Sequence, residues 1–103
     1  MRQKFQLKYL PVFLQHMEFI EKKYWRLVRK TIELQLQYEP AIETRNRKPL
    51  NPAEEFGSWE LRFGPQNRFR VFYDIREDKR IVQINAIGIK EGNDLMIAGQ
   101  EIL

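Results

Sequence analysis

The chain has 103 residues, of which 43% are hydrophobic, and this predicts a single domain (residues 1–103) with one modest core. Aromatic residues make up 13% of the sequence, a content that argues against disorder. The net charge of +4 favours polyanionic partners such as nucleic acid. The absence of cysteine excludes disulfides, thiolate catalysis and thiolate zinc sites, and the single histidine, His16, excludes a multi-histidine metal site. We therefore expect neither a metal nor a cofactor.

The N-terminus shows no export or membrane signal. Residues 1–9 alternate polar and apolar side chains, whereas a secretory signal needs a continuous apolar run after its basic start. No segment approaches the roughly 20 apolar residues of a membrane span. We expect a soluble cytoplasmic protein with no membrane partner.

The N-terminal half predicts a strand followed by helical structure. Phe5, Leu7 and Tyr9 alternate with polar residues, which is the period of a half-buried strand. Pro11 is suited to a first helical turn, and Pro40 ends the helical region. The spacing between them predicts two helices with a break near residues 21–23, or one bent helix. The predicted buried face comprises Phe13, Met17, Ile20, Tyr24, Leu27, Thr31, Leu34 and Tyr38.

The C-terminal half predicts a loop, three strands and a tail. Residues 41–58 contain prolines and few periodic apolar positions, so they are predicted to form a loop. Alternation predicts strands over residues 59–63 and 68–76. It predicts a third strand with Val82, Ile84 and Ala86 on its inner face, and Gly88 ends this strand. The tail from Lys90 onward is mixed and could hold a short helix.

The predicted strands have one apolar face and one basic face. Glu60, Arg62, Arg68 and Arg70 point away from the apolar side, as does Phe72. Short turns favour an antiparallel meander, and the helices are expected to cover its apolar face. The predicted fold class is therefore α+β, in the order β-α-α-β-β-β.

Three sequence segments together resemble a known family. They are Glu-Thr-Arg-Asn-Arg-Lys-Pro-Leu at 43–50, Trp-Glu-Leu-Arg-Phe with Arg-Phe-Arg-Val-Phe-Tyr at 59–63 and 68–73, and Ala-Ile-Gly-Ile-Lys-Glu-Gly-Asn at 86–93. With the order of elements, they resemble the RelE/ParE superfamily of type II toxin–antitoxin toxins, in particular the RelE/HigB-like branch. The resemblance covers most of the chain.

The resemblance implies an activity and partners. RelE-like toxins are ribosome-dependent messenger-RNA endonucleases (mRNA interferases) that inhibit translation without a metal. A ribose 2′-oxygen attacks the neighbouring phosphate, which requires positive charge at that phosphate and groups that move protons. The implied partners are the ribosome, mRNA and a neutralising antitoxin. Operator DNA would be contacted only indirectly, through the antitoxin.

The resemblance also suggests catalytic residues. Arg70 matches the family arginine that contacts the scissile phosphate, and Arg62 and Lys90 match other basic positions. Each also has a structural interpretation, as an outer-face arginine paired with an acidic residue or as a turn lysine. Glu60 is a candidate base, although an ion pair with Arg62 or Arg70 is the alternative interpretation.

The remaining candidates would contact RNA or the ribosome: Arg45, Arg47, Lys48, Arg68 and Phe72. Phe72 would either stack on a base or lie beneath the tail. Met96 stands where many relatives carry a tyrosine, and methionine cannot transfer a proton. Two alternatives therefore stay open, a ParE-type gyrase poison and a catalytically degenerate toxin that only binds its antitoxin.

Overall fold

The computed structural model describes residues 3–102, and in that range it contains two α-helices and seven β-strands. A 3-10 turn, Lys22–Tyr24, joins the two helices. Neither helix in this range is long and apolar enough to cross a membrane. The elements in chain order are β1 (Gln6–Tyr9), α1 (Pro11–Met17), α2 (Trp25–Leu36), β2 (Arg47–Glu54), β3 (Gly57–Phe63), β4 (Phe69–Arg76), β5 (Ile81–Glu91), β6 (Asp94–Ile97) and β7 (Gln100–Ile102).

All seven strands belong to one sheet. The path β2-β3-β4-β5-β6-β7 is antiparallel throughout, so the predicted meander is present and is longer than expected. The 11-residue β5 occupies the centre of the sheet. One edge of β5 pairs with β4, and the other is shared by β1, which runs parallel to residues 81–84, and by β6, which pairs with residues 88–91.

Both helices pack on one face of the sheet. The apolar side chains of alternate strand residues point to this face and form the core with the helices. The core joins Phe13, Val28, Ile32 and Leu36 of the helices to Leu61, Val71, Tyr73, Val82 and Ile84 of the sheet. Tyr73 is buried, and its hydroxyl donates a hydrogen bond to the carbonyl of Pro40 at 2.9 Å. Burial raises the pKa of this phenol, because the ionised form would lose its hydration. This contact ties the segment after α2 to the centre of the sheet.

The start and the break of the helical region are as predicted. Pro11 occupies the first turn of α1, where its missing N–H costs no hydrogen bond. The break lies between Met17 and Trp25, and the indole N–H of Trp25 donates to the carbonyl of Ile20 at 2.7 Å. This bond ties the start of α2 to the segment that follows α1.

The predicted buried face of α2 is wrong. Leu27 and Leu34 of α2 are exposed, as is Tyr38 beyond its end, whereas the buried residues of this helix are Val28, Ile32 and Leu36. Leu27 and Leu34 lie on the side of the helix away from the buried set, and both sets have a helical spacing of four or seven residues. Periodicity alone did not distinguish them, because packing against the sheet determines which set is buried.

The predicted loop at residues 41–58 was also wrong in its second half. Residues 47–54 form β2, an edge strand that pairs with β3 and has a register shift between Pro49 and Glu54. Proline lacks an amide hydrogen and therefore argues against a central strand, but an edge strand accommodates it. Pro49 and Pro52 thus identify the edge of the sheet rather than a loop.

The C-terminal segment differs from its prediction as well. β5 continues past Gly88 to Glu91, and the tail forms β6 and β7 instead of a helix. Gly92 (φ 63°) begins the two-residue turn between β5 and β6, and Ala98 and Gly99 (φ 51° and 77°) form the turn between β6 and β7. Glycine in two-residue turns is a hairpin signal that predicts these strands.

The choice of buried face on α2 can be tested with two matched leucines. Leu36→Ala should lower the free energy of unfolding by about 2–5 kcal/mol, because it removes a fully buried side chain. Leu34→Ala should change it by less than about 0.5 kcal/mol, since Leu34 is 79% exposed. Urea denaturation of both variants measures the difference, and equal destabilisation would contradict the assignment.

Candidate functional site

Three of the predicted site residues meet on the face of the sheet opposite the helices, which we call the outer face. One carboxylate oxygen, Oε1 of Glu60, accepts hydrogen bonds from Nε of Arg62 at 2.5 Å and from Nη1 of Arg70 at 3.2 Å. We refer to Glu60, Arg62 and Arg70 as the arginine cluster. It holds two guanidinium groups on one carboxylate.

Strand register explains how the arginine cluster forms. Glu60 and Arg62 are two residues apart on β3, so both side chains point to the same face. Arg70 of β4 lies directly opposite Arg62 in the antiparallel register. Directly opposed like charges repel, and the carboxylate of Glu60 offsets that repulsion.

The two arginines differ in exposure. The side chain of Glu60 is 9% exposed and that of Arg70 is 14% exposed, whereas that of Arg62 is 40% exposed. Arg70 is therefore held in a fixed position at the base of the cluster, with Arg62 at its solvent side. A buried carboxylate needs such donors, because an unpaired buried charge is strongly unfavourable.

Both guanidiniums retain nitrogen atoms that could bind an anion. Arg62 uses only Nε, and within residues 3–102 its terminal nitrogens have no hydrogen-bond partner. Arg70 donates through Nε to the carbonyl of Asn67 at 3.0 Å and through Nη1 to Glu60. Its Nη2 has no partner in the same range. Paired guanidinium nitrogens match the oxygens of phosphate, so the cluster can bind a phosphoryl group.

Asn67 helps to position a candidate site residue, and sequence reasoning missed it. Its carbonyl orients Arg70, and this geometry depends on a turn in which Gln66 and Asn67 both have positive φ angles, 57° and 53°. Asparagine adopts this left-handed conformation more readily than most residues. The Gly-Pro-Gln-Asn sequence identified the turn, but it did not indicate that the turn holds an arginine.

Lys90 lies on the same face, beyond the arginine cluster. Arg70 pairs with Gly88, and Lys90 is two residues further along β5, so its side chain points to the same side. The amide of Lys90 donates to the carbonyl of Arg68 at 2.7 Å. Lys90 is half-buried and has no ion-pair partner within the described part of the chain. Register therefore brings a third positive charge toward the arginine cluster.

The predicted basic segment at residues 45–48 is divided between two environments. Lys48 lies opposite Glu60 on the outer face and forms a 3.6 Å ion pair with Glu43, and Arg45 is exposed in the preceding turn. Arg47 is only 7% exposed and donates to the carbonyls of Ile42 and Gln35. The predicted RNA contact of Arg47 is therefore revised, because its guanidinium is used to fix the turn after α2.

Arg68 and Phe72, two other candidate RNA contacts, are engaged within the fold, and for Phe72 this is the alternative in which it lies beneath the tail. Arg68 lies on the helix side, where its guanidinium carbon is 5.4 Å from the ring centre of Tyr24 and Nη2 donates to the Tyr24 hydroxyl at 3.1 Å. Phe72 is 2% exposed and packs 6.0 Å from Phe56 between ring centres. Phe72 therefore anchors a small apolar cluster on the outer face, together with Leu50, Ala86, Leu95, Ile97 and Ile102.

Met96 does not take the place of a tyrosine beside the arginine cluster. It pairs with Ile89 on β5, so its side chain lies on the helix side of the sheet. Its neighbours Leu95 and Ile97 point to the outer face. Gly88 leaves room for them, since a Cβ atom there would come within 2.8 Å of Ile97 Cγ1 and 3.1 Å of Leu95 Cδ1.

His16 lies apart from the arginine cluster. It is 8% exposed, and its Nδ1 accepts a hydrogen bond from the amide of Ile87 at 3.4 Å. Burial lowers the pKa of His16, because the charged imidazole would lose hydration. No group of His, Asp and Glu side chains within residues 3–102 is arranged to hold a metal ion.

Comparison with solved structures finds a similar fold. One chain in the crystal structure of the toxin–antitoxin complex RelBE2 from Mycobacterium tuberculosis matches with a TM-score of 0.66 and 19% sequence identity. The match covers 84% of this chain and 99% of that chain. No family model and no curated protein matches the sequence. The predicted RelE-like α+β fold is confirmed, whereas placement in a HigB-like branch stays a prediction.

The role of Glu60 in holding the arginines can be tested with inorganic phosphate. Glu60→Gln should lower the free energy of unfolding by about 1–3 kcal/mol, because Arg62 and Arg70 lose their shared carboxylate. Phosphate should then stabilise this variant more than the wild type, because it can replace the lost negative charge. Thermal unfolding in phosphate and in chloride at equal ionic strength measures this. The same phosphate response in both proteins would argue against this role of Glu60.

Protonation of His16 should destabilise the fold. Its pKa is lowered in the folded state, so the unfolded chain binds the proton first as the pH falls below about 6.5. The free energy of unfolding should therefore decrease from pH 6.5 downward, and less steeply in His16→Gln. Urea denaturation from pH 7.5 to 5 measures both slopes, and parallel curves would show that His16 does not contribute.

Proposed function

We propose that this protein is the toxin of a bacterial toxin–antitoxin pair and cleaves messenger RNA in the ribosome. The observation that carries the proposal is the arginine cluster, with Lys90 on the same face, on a RelE-like fold. The similar structure is described as a toxin–antitoxin complex, which supports a toxin role and an antitoxin partner for this chain. Cleavage of messenger RNA in the ribosome is proposed from the arginine cluster and Lys90.

Phosphate recognition is the first task of the proposed site. Arg70 is held by Asn67 and Glu60, so its remaining nitrogen would meet a phosphoryl oxygen without reorganisation. The terminal nitrogens of Arg62 would contact the same phosphate from the solvent side. Two guanidiniums would stabilise the additional negative charge that develops as the 2′-oxygen attacks the phosphorus atom.

Proton transfer is the second task. The 2′-hydroxyl proton must leave as the new P–O bond forms, and the departing 5′-oxygen must gain a proton as the old P–O bond breaks. Glu60 is the carboxylate nearest the proposed phosphate position, and its second oxygen, Oε2, would accept the first proton. Lys90 would donate the second. Arginine serves neither step, because its guanidinium stays protonated.

The surroundings of the site suggest why a large partner is needed. Lys48 lies on β2 at the outer face, and Arg45 is exposed just before this strand. Both would contact RNA backbone, where such contacts add affinity without reading sequence. The outer face also carries the apolar cluster around Phe72. An enclosing partner such as the ribosome would exclude water and align the message.

Cleavage can be tested with ribosomes programmed with a defined message. Arg70→Ala should reduce the cleavage rate by about 10²-fold or more, because it removes the fixed phosphate-binding group. Arg76→Ala is a matched control, since Arg76 is an exposed arginine on the same strand, away from the arginine cluster. It should cleave within about threefold of the wild-type rate.

Two assays on the same purified protein distinguish the nuclease from the gyrase poison and from a toxin that only binds its antitoxin. Primer extension locates the cuts, and an assay of gyrase supercoiling is run in parallel. Inhibition of gyrase without cuts would support a ParE-type poison instead. Wild-type cleavage by Arg70→Ala would overturn the proposed site, and the absence of both activities would indicate a toxin that only binds its antitoxin.

A further inference from the structure

The backbone of Arg62 is bonded twice to Asn46. The amide of Arg62 donates to the carbonyl of Asn46 at 2.8 Å, and Nδ2 of Asn46 donates to the carbonyl of Arg62 at 2.8 Å. The register of β2 and β3 pairs Arg47 with Leu61, which places Asn46 opposite Arg62 just before β2 begins. Both polar groups of the Arg62 backbone are therefore bonded to the same residue.

The side chain of Asn46 replaces a backbone donor. In a regular hydrogen-bonded antiparallel pair, the two residues exchange two backbone N–H···O=C bonds. The amide of Asn46 instead donates to Oγ1 of Thr44 at 3.2 Å, and the side-chain amide of Asn46 supplies the second bond to Arg62. An alanine at position 46 would leave the carbonyl of Arg62 without that donor. The pairing therefore depends on which residue stands at this position.

The turn that carries Asn46 is fixed from two directions. Oγ1 of Thr44 also accepts a hydrogen bond from the amide of Arg47 at 3.1 Å, and the amide of Thr44 donates to the carbonyl of Arg47 at 2.9 Å. The guanidinium of Arg47 donates to the carbonyl and to Oε1 of Gln35 on α2, at 3.0 and 2.7 Å. Asn46 therefore has a fixed position relative to the helices, and its two bonds extend that restraint to the end of β3.

The side chain of Arg62 is weakly restrained. It is 40% exposed and, within residues 3–102, donates through Nε alone, to Glu60. The amide and carbonyl of a strand residue point to the same neighbouring strand, so Arg62 and Arg70 form a pair without direct backbone bonds. Such pairs bring the two Cα atoms to roughly 4.5 Å, closer than hydrogen-bonded pairs do. This spacing suits two guanidiniums that share one phosphoryl group, and it requires the end of β3 to stay in the sheet.

We infer that Asn46 is a positioning residue that fixes Arg62 for phosphate binding. This inference rests on the proposed function, because that function assigns Arg62 to the phosphoryl group. Asn46 acts through the backbone of Arg62 and does not contact the phosphate itself. Its removal should therefore cost at most what Arg62 contributes, and nothing where the Arg62 side chain is already lost.

Inorganic phosphate tests this role without ribosomes. Its apparent affinity is measured from the rise of the thermal unfolding temperature with phosphate concentration, against chloride at equal ionic strength. Asn46→Ala should weaken phosphate binding about fivefold, the effect of losing one hydrogen bond. Asn51→Ala is the matched control, since Asn51 is an exposed asparagine on the adjoining strand β2. It should bind phosphate within about twofold of the wild type.

A double-mutant cycle separates positioning from stability. Asn46→Ala should lower the thermal unfolding temperature in both the wild-type and the Arg62→Ala backgrounds, because it removes a hydrogen bond from each. It should weaken phosphate binding in the wild-type background only. A purely structural role predicts unchanged phosphate affinity in both backgrounds, and equal losses of affinity would show that Asn46 acts independently of Arg62. Either result overturns the inference.

The same cycle applies to cleavage on programmed ribosomes. Asn46→Ala should lower the cleavage rate about fivefold, and the double variant should cleave within about twofold of Arg62→Ala. Thr44→Val is a second variant that keeps the test open if Asn46→Ala does not fold. It preserves the shape of Thr44 but removes Oγ1, the acceptor that turns the amide of Asn46 away from β3. It should lower phosphate affinity and cleavage in the same direction.

The outcomes distinguish this inference from the proposed function. If phosphate binding depends on Asn46 through Arg62 but the wild type cleaves no message, the nuclease function fails and the positioning role stands. If cleavage depends on Arg70 and neither Asn46→Ala nor Thr44→Val changes phosphate binding or cleavage, the inference alone is overturned. If the wild type does not respond to phosphate, the anion site fails and the inference fails with it.

Discussion

A single carboxylate oxygen organises the outer face of this protein. Two arginines that strand register places directly opposite each other would repel, and Oε1 of Glu60 holds both. The low exposure of Glu60 makes this contact strong and also makes it necessary, because a buried carboxylate requires nearby donors. Without that carboxylate the two guanidiniums would separate, and the candidate site would lose its geometry.

The outer face was the part of the fold that sequence predicted best. Strand alternation alone placed Glu60, Arg62 and Arg70 on one side, since successive residues of a strand point to opposite faces. Alternation also placed Phe72 on that side, but it did not show that the tail would cover it. Burial on the outer face depends on β6 and β7, and their short sequences carry little periodic signal.

Other predictions failed where a local pattern fitted two structures equally well. Helix α2 has apolar residues on both sides, so its period is helical whichever side faces the sheet. The local pattern predicted Arg47 as an RNA contact in a loop, but Arg47 occupies the helix side of an edge strand and donates to the carbonyls of Gln35 and Ile42. Its burial depends on contacts with α2, which is distant in sequence, and the local charge pattern does not include them.

The strands at the two ends of the β2–β7 path are poor templates for further strand pairing. Pro49 and Pro52 interrupt the row of amide donors on β2, and β7 has three residues. Long, regular and unpaired edges let folded proteins join edge to edge into aggregates. Shortened and interrupted edges allow a small sheet-rich protein to accumulate at high concentration without polymerising through its own backbone.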